Sequence, residues 1–227
     1  MSGLELGPLW VSLKLGLATV VCLLVIASPL AWWLAFTSSR LRAPAEAVVA
    51  LPLVLPPTVL GFYLLILLGP AGWIGSVWVE LTDSTLTFSF IGLVIASVIY
   101  SLPFAVQPLQ GAFESVGRSP LEAAATLGAR PLRRFFQVAL PLSFRGYLSA
   151  IVLVFAHTLG EFGVVLMVGG NIPDRTKVIS IAVFEHVETI DYRQAHILSA
   201  GLLVFSFLLL LLIFGINRRM PIRYPTS

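Results

Sequence analysis

Two short stretches of this sequence carry side chains that could do chemistry. The first is Thr158-Leu159-Gly160-Glu161-Phe162-Gly163, which places a carboxylate inside a hydrophobic run. A charged side chain at the bilayer centre costs ~2.5–3.5 kcal/mol on insertion scales, so Glu161 is expected to face protein or a water-filled path. His157 precedes it by four residues, on the same helix face, at the spacing of a metal-ligand pair. A zinc hydrolase of the His-Glu-x2-His type needs a second histidine and a leading glutamate, and this stretch has neither. His186 and His196 lie outside the apolar runs or at their edge, and Lys14 is the only other ionisable group well inside one. No metal site or cofactor is expected, and an intramembrane enzyme is the remote alternative.

The second stretch is Ser119-Pro120-Leu121-Glu122-Ala123-Ala124-Ala125-Thr126-Leu127-Gly128-Ala129-Arg130-Pro131. Its local signals specify a short helix with defined ends. Ser119 and Glu122 have capping-box spacing, and Pro120 suits the first helical position, where its missing N–H costs nothing. The alanines are the best helix formers. Gly128 suits the left-handed residue that ends a helix, and Pro131 can start another. The spacing predicts about two turns, roughly 13 Å of rigid rod, over 119–129. Leu121, Ala124, Ala125 and Leu127 give it an apolar side. The chain continues through Arg133, Arg134, Phe135 and Phe136 to Pro141, a helix breaker.

The elements that hold these stretches follow from composition. Of 227 residues, 58% are hydrophobic and 11% charged, whereas a soluble domain carries roughly 25% charged residues. A water-soluble globule is excluded. Five apolar stretches, at about 9–36, 47–68, 88–108, 146–168 and 195–216, are long enough to cross, given ~20 residues per span. They must be helices, because an open strand edge would leave unpaired backbone groups in lipid. The first stretch is too long for a signal-peptide core and is expected to stay in the mature chain. The lone Cys22 excludes an internal disulfide or a cysteine metal cluster.

The basic residues set an orientation. Arg40, Arg42, Arg118, Arg130, Arg133, Arg134, Arg145, Arg218, Arg219 and Arg223 are ten of the fourteen Lys and Arg, and all flank the spans on one side. The other side holds Glu5, Glu80, Asp83, Asp174, Glu185, Glu188 and Asp191, against Arg175, Lys177 and Arg193. Basic loops mark the cytoplasm, so the N-terminus is expected outside and the C-terminus inside. The pI near 9.4 is topology and not a nucleic-acid footprint. Outside the spans, 178–187 is apolar-periodic but too short to cross, and predicts a short helix at the surface or dipping back. Within span two, Pro52, Pro56 and Pro57 predict a kinked or unwound helix. Pro103 and Pro108 predict similar irregularity in span three.

Glu122-Ala123-Ala124, Gly128 six residues after the glutamate, and Val138-Ala139-Leu140-Pro141 together resemble the EAA signature of ABC importer permeases, with Val138 where isoleucine is commonest. Pro52-Leu53-Val54-Leu55-Pro56-Pro57, the Gly160-Glu161-Phe162-Gly163 tetrad and Asn171-Ile172-Pro173 resemble molybdate transporter permeases over nearly the whole chain. Sulfate and thiosulfate permeases share much of this pattern, often with tyrosine at the position of Phe162.

The resemblance implies an all-α integral membrane protein of the MetI-like type I importer fold, with five spans and a cytoplasmic coupling helix. It would form one transmembrane domain over 1–227, with a transport region at about 9–216 and an EAA segment at 119–141. It implies docking on a cytoplasmic ABC ATPase dimer through Ser119, Pro120, Leu121, Glu122, Ala123, Ala124, Leu127, Gly128 and Ala129. Pro56, Pro57, Gly160, Glu161, Phe162 and Gly163 would border the path or its gate. The other implied partners are an external molybdate-binding protein and a second copy of the permease, in the inner membrane. Molybdate, with tungstate, is the implied cargo and sulfate or thiosulfate the alternative. The chain has no Gly-x4-Gly-Lys-Ser/Thr; its lysines, Lys14 and Lys177, follow no glycine-rich loop. The energy must therefore come from another polypeptide.

Overall fold

A computed structural model describes residues 6–219. Glu5 and Arg223, counted above among the flanking charges, lie outside the described residues. Among those described, every regular element is a helix. The first, α1 (Leu6–Phe36), is 31 residues long, about 46 Å at ~1.5 Å per residue. It runs unbroken through Pro29. Next come α2 (Arg42–Val54), α3 (Pro57–Leu68), α4 (Trp73–Thr82) and α5 (Phe90–Val116). The remaining helices are α6 (Ser119–Thr126), α7 (Pro131–Arg134), a π-turn at Phe135–Ala139, α8 (Leu140–Leu142), α9 (Phe144–Gly160), α10 (Gly163–Gly169), α11 (Ile179–Glu188) and α12 (Tyr192–Arg219).

Helices α1, α5 and α9 pack on one another and make the core. Leu23, Leu34, Leu109, Phe113 and Val154 are sealed inside it. Trp32 stands edge-on to Phe36, Phe113 and Phe135, with ring centroids 4.6, 5.2 and 5.4 Å away. Such pairs add about 0.5–1.5 kcal/mol beyond their buried area. They bind the end of α1 to the π-turn that follows α7.

Three of these helices, α1, α5 and α12, are long and apolar enough to cross a membrane; there are five if each sharply bent pair counts as one span. Span two is kinked as expected, whereas span four departs from the continuous helix expected. Span two is broken outright: α2 and α3 meet at 110°. Leu55 and Pro56 are extended there, with ψ of 136° and 134°, because each precedes a proline that disfavours the helical region. Span four is not continuous. Its helix ends at Gly160 and restarts at Gly163, while α7–α8 and α9 meet at 73°. The prolines of α5 have the opposite outcome from that expected, since the helix passes through Pro103 and Pro108 without interruption. The π-turn, unforeseen, lies just before Pro141, which has no N–H to donate and crowds the carbonyl four residues back. The ladder widens there, and the Leu140 N–H bonds to Phe135 O. Helix α4 was unforeseen, whereas α11 coincides with the short amphipathic piece expected at 178–187.

Two hydrogen bonds fix which loops share a face. Ile179 N donates to Ser12 Oγ (2.8 Å), placing the 174–179 loop at the start of α1. Arg118 Nη2 donates to the Phe36 carbonyl (2.6 Å), placing the entry to α6 at the end of α1. The arginine-rich loops therefore lie together at one end of the bundle.

Candidate functional site

Glu161 sits at the break between α9 and α10, with φ −68° and ψ 130°. It is 3% exposed. Its Oε2 accepts from Ser97 Oγ of α5 at 2.9 Å, while Oε1 has no hydrogen-bond partner. The Glu161 carbonyl, freed by the end of α9, accepts from Ser180 Oγ of α11. The freed backbone carbonyl is thus satisfied by a side chain of another helix, as a non-helical segment at membrane depth requires, while Ser97 holds the carboxylate from α5. One turn earlier, His157 Nδ1 pairs with Ser101 Oγ at 2.8 Å, and its ring stacks on Phe104 with centroids 4.1 Å apart. His157 and Glu161 each engage their own serine, and among the described residues no cluster of three or more His, Cys, Asp or Glu could hold a metal. Sequence reasoning missed Ser97 and Ser101; two serines four apart in an apolar helix are the signal that could have found them.

A cavity of about 470 Å³ opens beside this break, lined by Pro57, Thr58, Tyr100, Ala156, His157, Gly160, Glu161, Phe162 and Gly163. It gathers all of the expected path residues except Pro56, which caps the start of α3 from the 110° bend. The two broken spans meet here. A Cβ on Gly163 would lie 2.8 Å from Pro57 Cβ, so only glycine lets α10 come this close to α3. Gly160 has open space around its Cα and faces the cavity. No Lys or Arg lines it, so the cavity offers no cation for tight binding of an anion.

At the arginine-rich end, α6 stands out from the body. Leu121 is its anchor, 8% exposed and packed into the main core. Glu122, Ala123, Ala125, Thr126, Leu127 and Gly128 are exposed, with Ala124 and Ala129 half-buried. Leu127, on the apolar side expected to meet a neighbour, is 88% exposed. The expected capping box is absent. The helix starts one residue early, with Arg118 at the N-cap in helical geometry and no side-chain cap bond. Ser119 and Pro120 then occupy the first turn, where the serine hydroxyl cannot reach forward as a cap. The other end forms as expected. Gly128 has φ +82°, its N–H bonds to Ala125 O (2.9 Å), and the Ala129 N–H bonds to Ala124 O (3.0 Å). This is a Schellman closure, which satisfies orphan carbonyls and fixes the exit. Pro131 opens α7 as expected.

On the opposite face, Asn171 Nδ2 donates to Glu185 Oε2 (2.9 Å), and Lys177 Nζ lies 2.8 Å from the same oxygen. These contacts hold the Glu185 carboxyl below its ordinary value of 4.5, the lysine first and the asparagine second. The Ile172 carbonyl accepts from the N–H groups of Arg175, Thr176 and Lys177. The Asn171-Ile172-Pro173 motif is therefore a compact turn bracing α11.

These features define a helical membrane component with a cavity between two broken helices and a projecting helix at its basic end. The chain belongs to the family of binding-protein-dependent transport system inner membrane components, whose model matches residues 27–221. It is 55% identical over 214 residues to the molybdenum transport system permease protein ModB of Azotobacter vinelandii, covering 94% of this chain and 95% of that one. Identity to the same protein of Haemophilus influenzae is 33%, over 92% and 90% of the two chains. A sulfate transport system permease of Synechocystis is 34% identical over 83% of this chain and 66% of its own. In fold, the chain is similar to the MetNI methionine ABC transporter in its inward-facing form, with a TM-score of 0.72, 17% identity and coverage of 96% and 99%. A bacterial alginate ABC transporter gives a TM-score of 0.75 at 16% identity, over 96% of this chain and 80% of that one. The fold is that of an ABC importer permease. The chain is a transport subunit and not an enzyme, and ATP hydrolysis belongs to a separate subunit.

Proposed function

We propose that this chain is the membrane-spanning subunit of an ABC importer that carries molybdate into the cytoplasm. Identity of 55% along almost the full length of a molybdenum permease carries this reading. The cavity chemistry supports the division of labour. With no lysine or arginine at its lining, the passage does not select the oxyanion, and an external binding protein does. Tungstate, chemically alike, travels by the same route.

The projecting α6 is the coupling helix. It docks in a cleft of the ATPase through Ser119, Pro120, Glu122, Ala123, Ala124, Leu127, Gly128 and Ala129, while Leu121 transmits the displacement to the core. Pro56, Pro57, Gly160, Glu161, Phe162 and Gly163 form the gate. The basic end of the bundle faces the cytoplasm, which places the N-terminus outside and the C-terminus inside. Two copies enclose the path, one for each ATPase. ATP binding closes the ATPase dimer, moves α6 and opens the passage outward; hydrolysis returns it inward.

The test is uptake of labelled molybdate into proteoliposomes holding permease, ATPase and binding protein, in competition with tungstate and sulfate. Competition by tungstate but not by sulfate is the expected result. Equal competition by sulfate would transfer the assignment to the sulfate class.

A further inference from the structure

At the basic end, a groove of about 700 Å³ runs between α1 and the segment from α6 to α8. Its walls are almost wholly apolar, with Leu24, Pro29 and Trp32 on one side and Leu132, Phe135 and Phe136 on the other. Two observations point to what fills it. Val21 and Val25, one turn apart on α1, are 62% and 71% exposed, and in a spanning helix such a stripe meets lipid. Val25 also lines the groove, so the groove is continuous with the lipid-facing surface. The second observation is charge. Arg134 lines the groove, and its buried Nε has no hydrogen-bond partner. Arg130 and Arg133 flank it in sequence, and no carboxylate is present in the lining. An apolar slot open to the bilayer, with an unsatisfied guanidinium N–H at its basic end, matches a lipid with one acyl chain in the slot and an anionic phosphate at the arginine. Basic pockets between spans on the cytoplasmic side bind anionic headgroups in this way.

We infer that the groove between α1 and 131–140 is a binding site for one anionic phospholipid, whose phosphate pairs with Arg134. Leu121 forms part of its wall, so the lipid braces the anchor of α6 from the bilayer side. The site does not depend on the identity of the transported anion.

The test is native mass spectrometry of the full-length chain released from nanodiscs of equal phosphatidylglycerol and phosphatidylcholine, with wild type, Arg134→Gln and Val25→Trp compared. Wild type is expected to retain one phosphatidylglycerol per chain. Arg134→Gln is expected to lower that retention about fivefold, the loss of one basic contact near an anionic headgroup. Val25→Trp, which fills the slot from the lipid side and leaves the arginine, is expected to lower it as well. A thermal unfolding scan confirms that each variant is folded. Unchanged retention in both folded variants would overturn the inference, as would equal retention of phosphatidylcholine by wild type. Disulfide trapping of Phe136→Cys against Phe136→Cys of a second copy would also overturn it, by giving the groove to a protein neighbour.

Discussion

Two of the segments that interrupt the long helices are held in opposite ways. At Glu161 the backbone is opened inside the bundle and held by side chains from elsewhere: Ser97 on the carboxylate and Ser180 on the carbonyl. At 119–129 the short helix lies outside the bundle and is held by its own backbone, with the Schellman closure at Gly128 and a single buried leucine as its root. A segment held by neighbours changes shape when those neighbours move. A segment closed on itself moves as a rod. The contrast matches a gate and a lever, and each of the following variants attacks one side of it.

The largest effect is expected from Leu121→Ala. A buried leucine truncated to alanine costs about 2–5 kcal/mol, here concentrated where α6 meets the core. The helix should keep its ends and lose its root, so ATPase stimulation by loaded binding protein should disappear while the ATPase still copurifies. Glu161→Ala comes next. It strips the cross-helix bond from Ser97, and a buried donor left unpaired costs about 1–3 kcal/mol. Uptake should be lost with ATPase binding intact, and a double-mutant cycle with Ser97→Ala should show coupling, since the two residues share one bond. Gly128→Val forces a β-branched residue to φ +82°, at roughly 1–2 kcal/mol of left-handed strain. It should loosen the exit of α6 and uncouple hydrolysis from uptake, leaving the thermal stability of the spans almost unchanged.

The smallest effect is expected on the far face. Glu185 has a folded pKa below its ordinary 4.5, through Lys177 first and Asn171 second. Its contribution to stability is therefore fully present above about pH 4.5 and lost as pH falls through the lower folded value. Its side chain is 40% exposed, which limits the pair to ~1 kcal/mol or less. Glu185→Gln should flatten the acid limb of a thermal-melt profile slightly and leave uptake at neutral pH unchanged.

Much of this was legible from residues alone. The apolar runs set the helices, the arginines set a common face, and Gly128 set the end of α6. Residues 57 and 160–163, picked out by type, line one cavity. What could not be read has physical causes. Proline number does not decide a break: Pro103 and Pro108 lie in a helix packed on α1 and α9, and tertiary contact carries the backbone through. Pro56 and Pro57 are adjacent, and each forces the residue before it out of helical geometry. The break at Glu161 contains no proline at all; Ser180 satisfies its freed carbonyl and Ser97 holds its carboxylate, and those partners are 19 and 64 residues away. Ser119 was expected as a cap from its spacing to Glu122. Arg118 already continues the turn, and that backbone choice is invisible in the side chains.

The most direct measurement is site-specific crosslinking from Ala123→Cys, an exposed position on α6, in a Cys22→Ser background that removes the native thiol. With the ATPase present, the crosslink is expected to join the two polypeptides and to strengthen when ATP is bound. A bifunctional reagent that labels Ala123→Cys yet never joins it to the ATPase, in vesicles where molybdate uptake proceeds, would contradict the assignment of α6 as the lever.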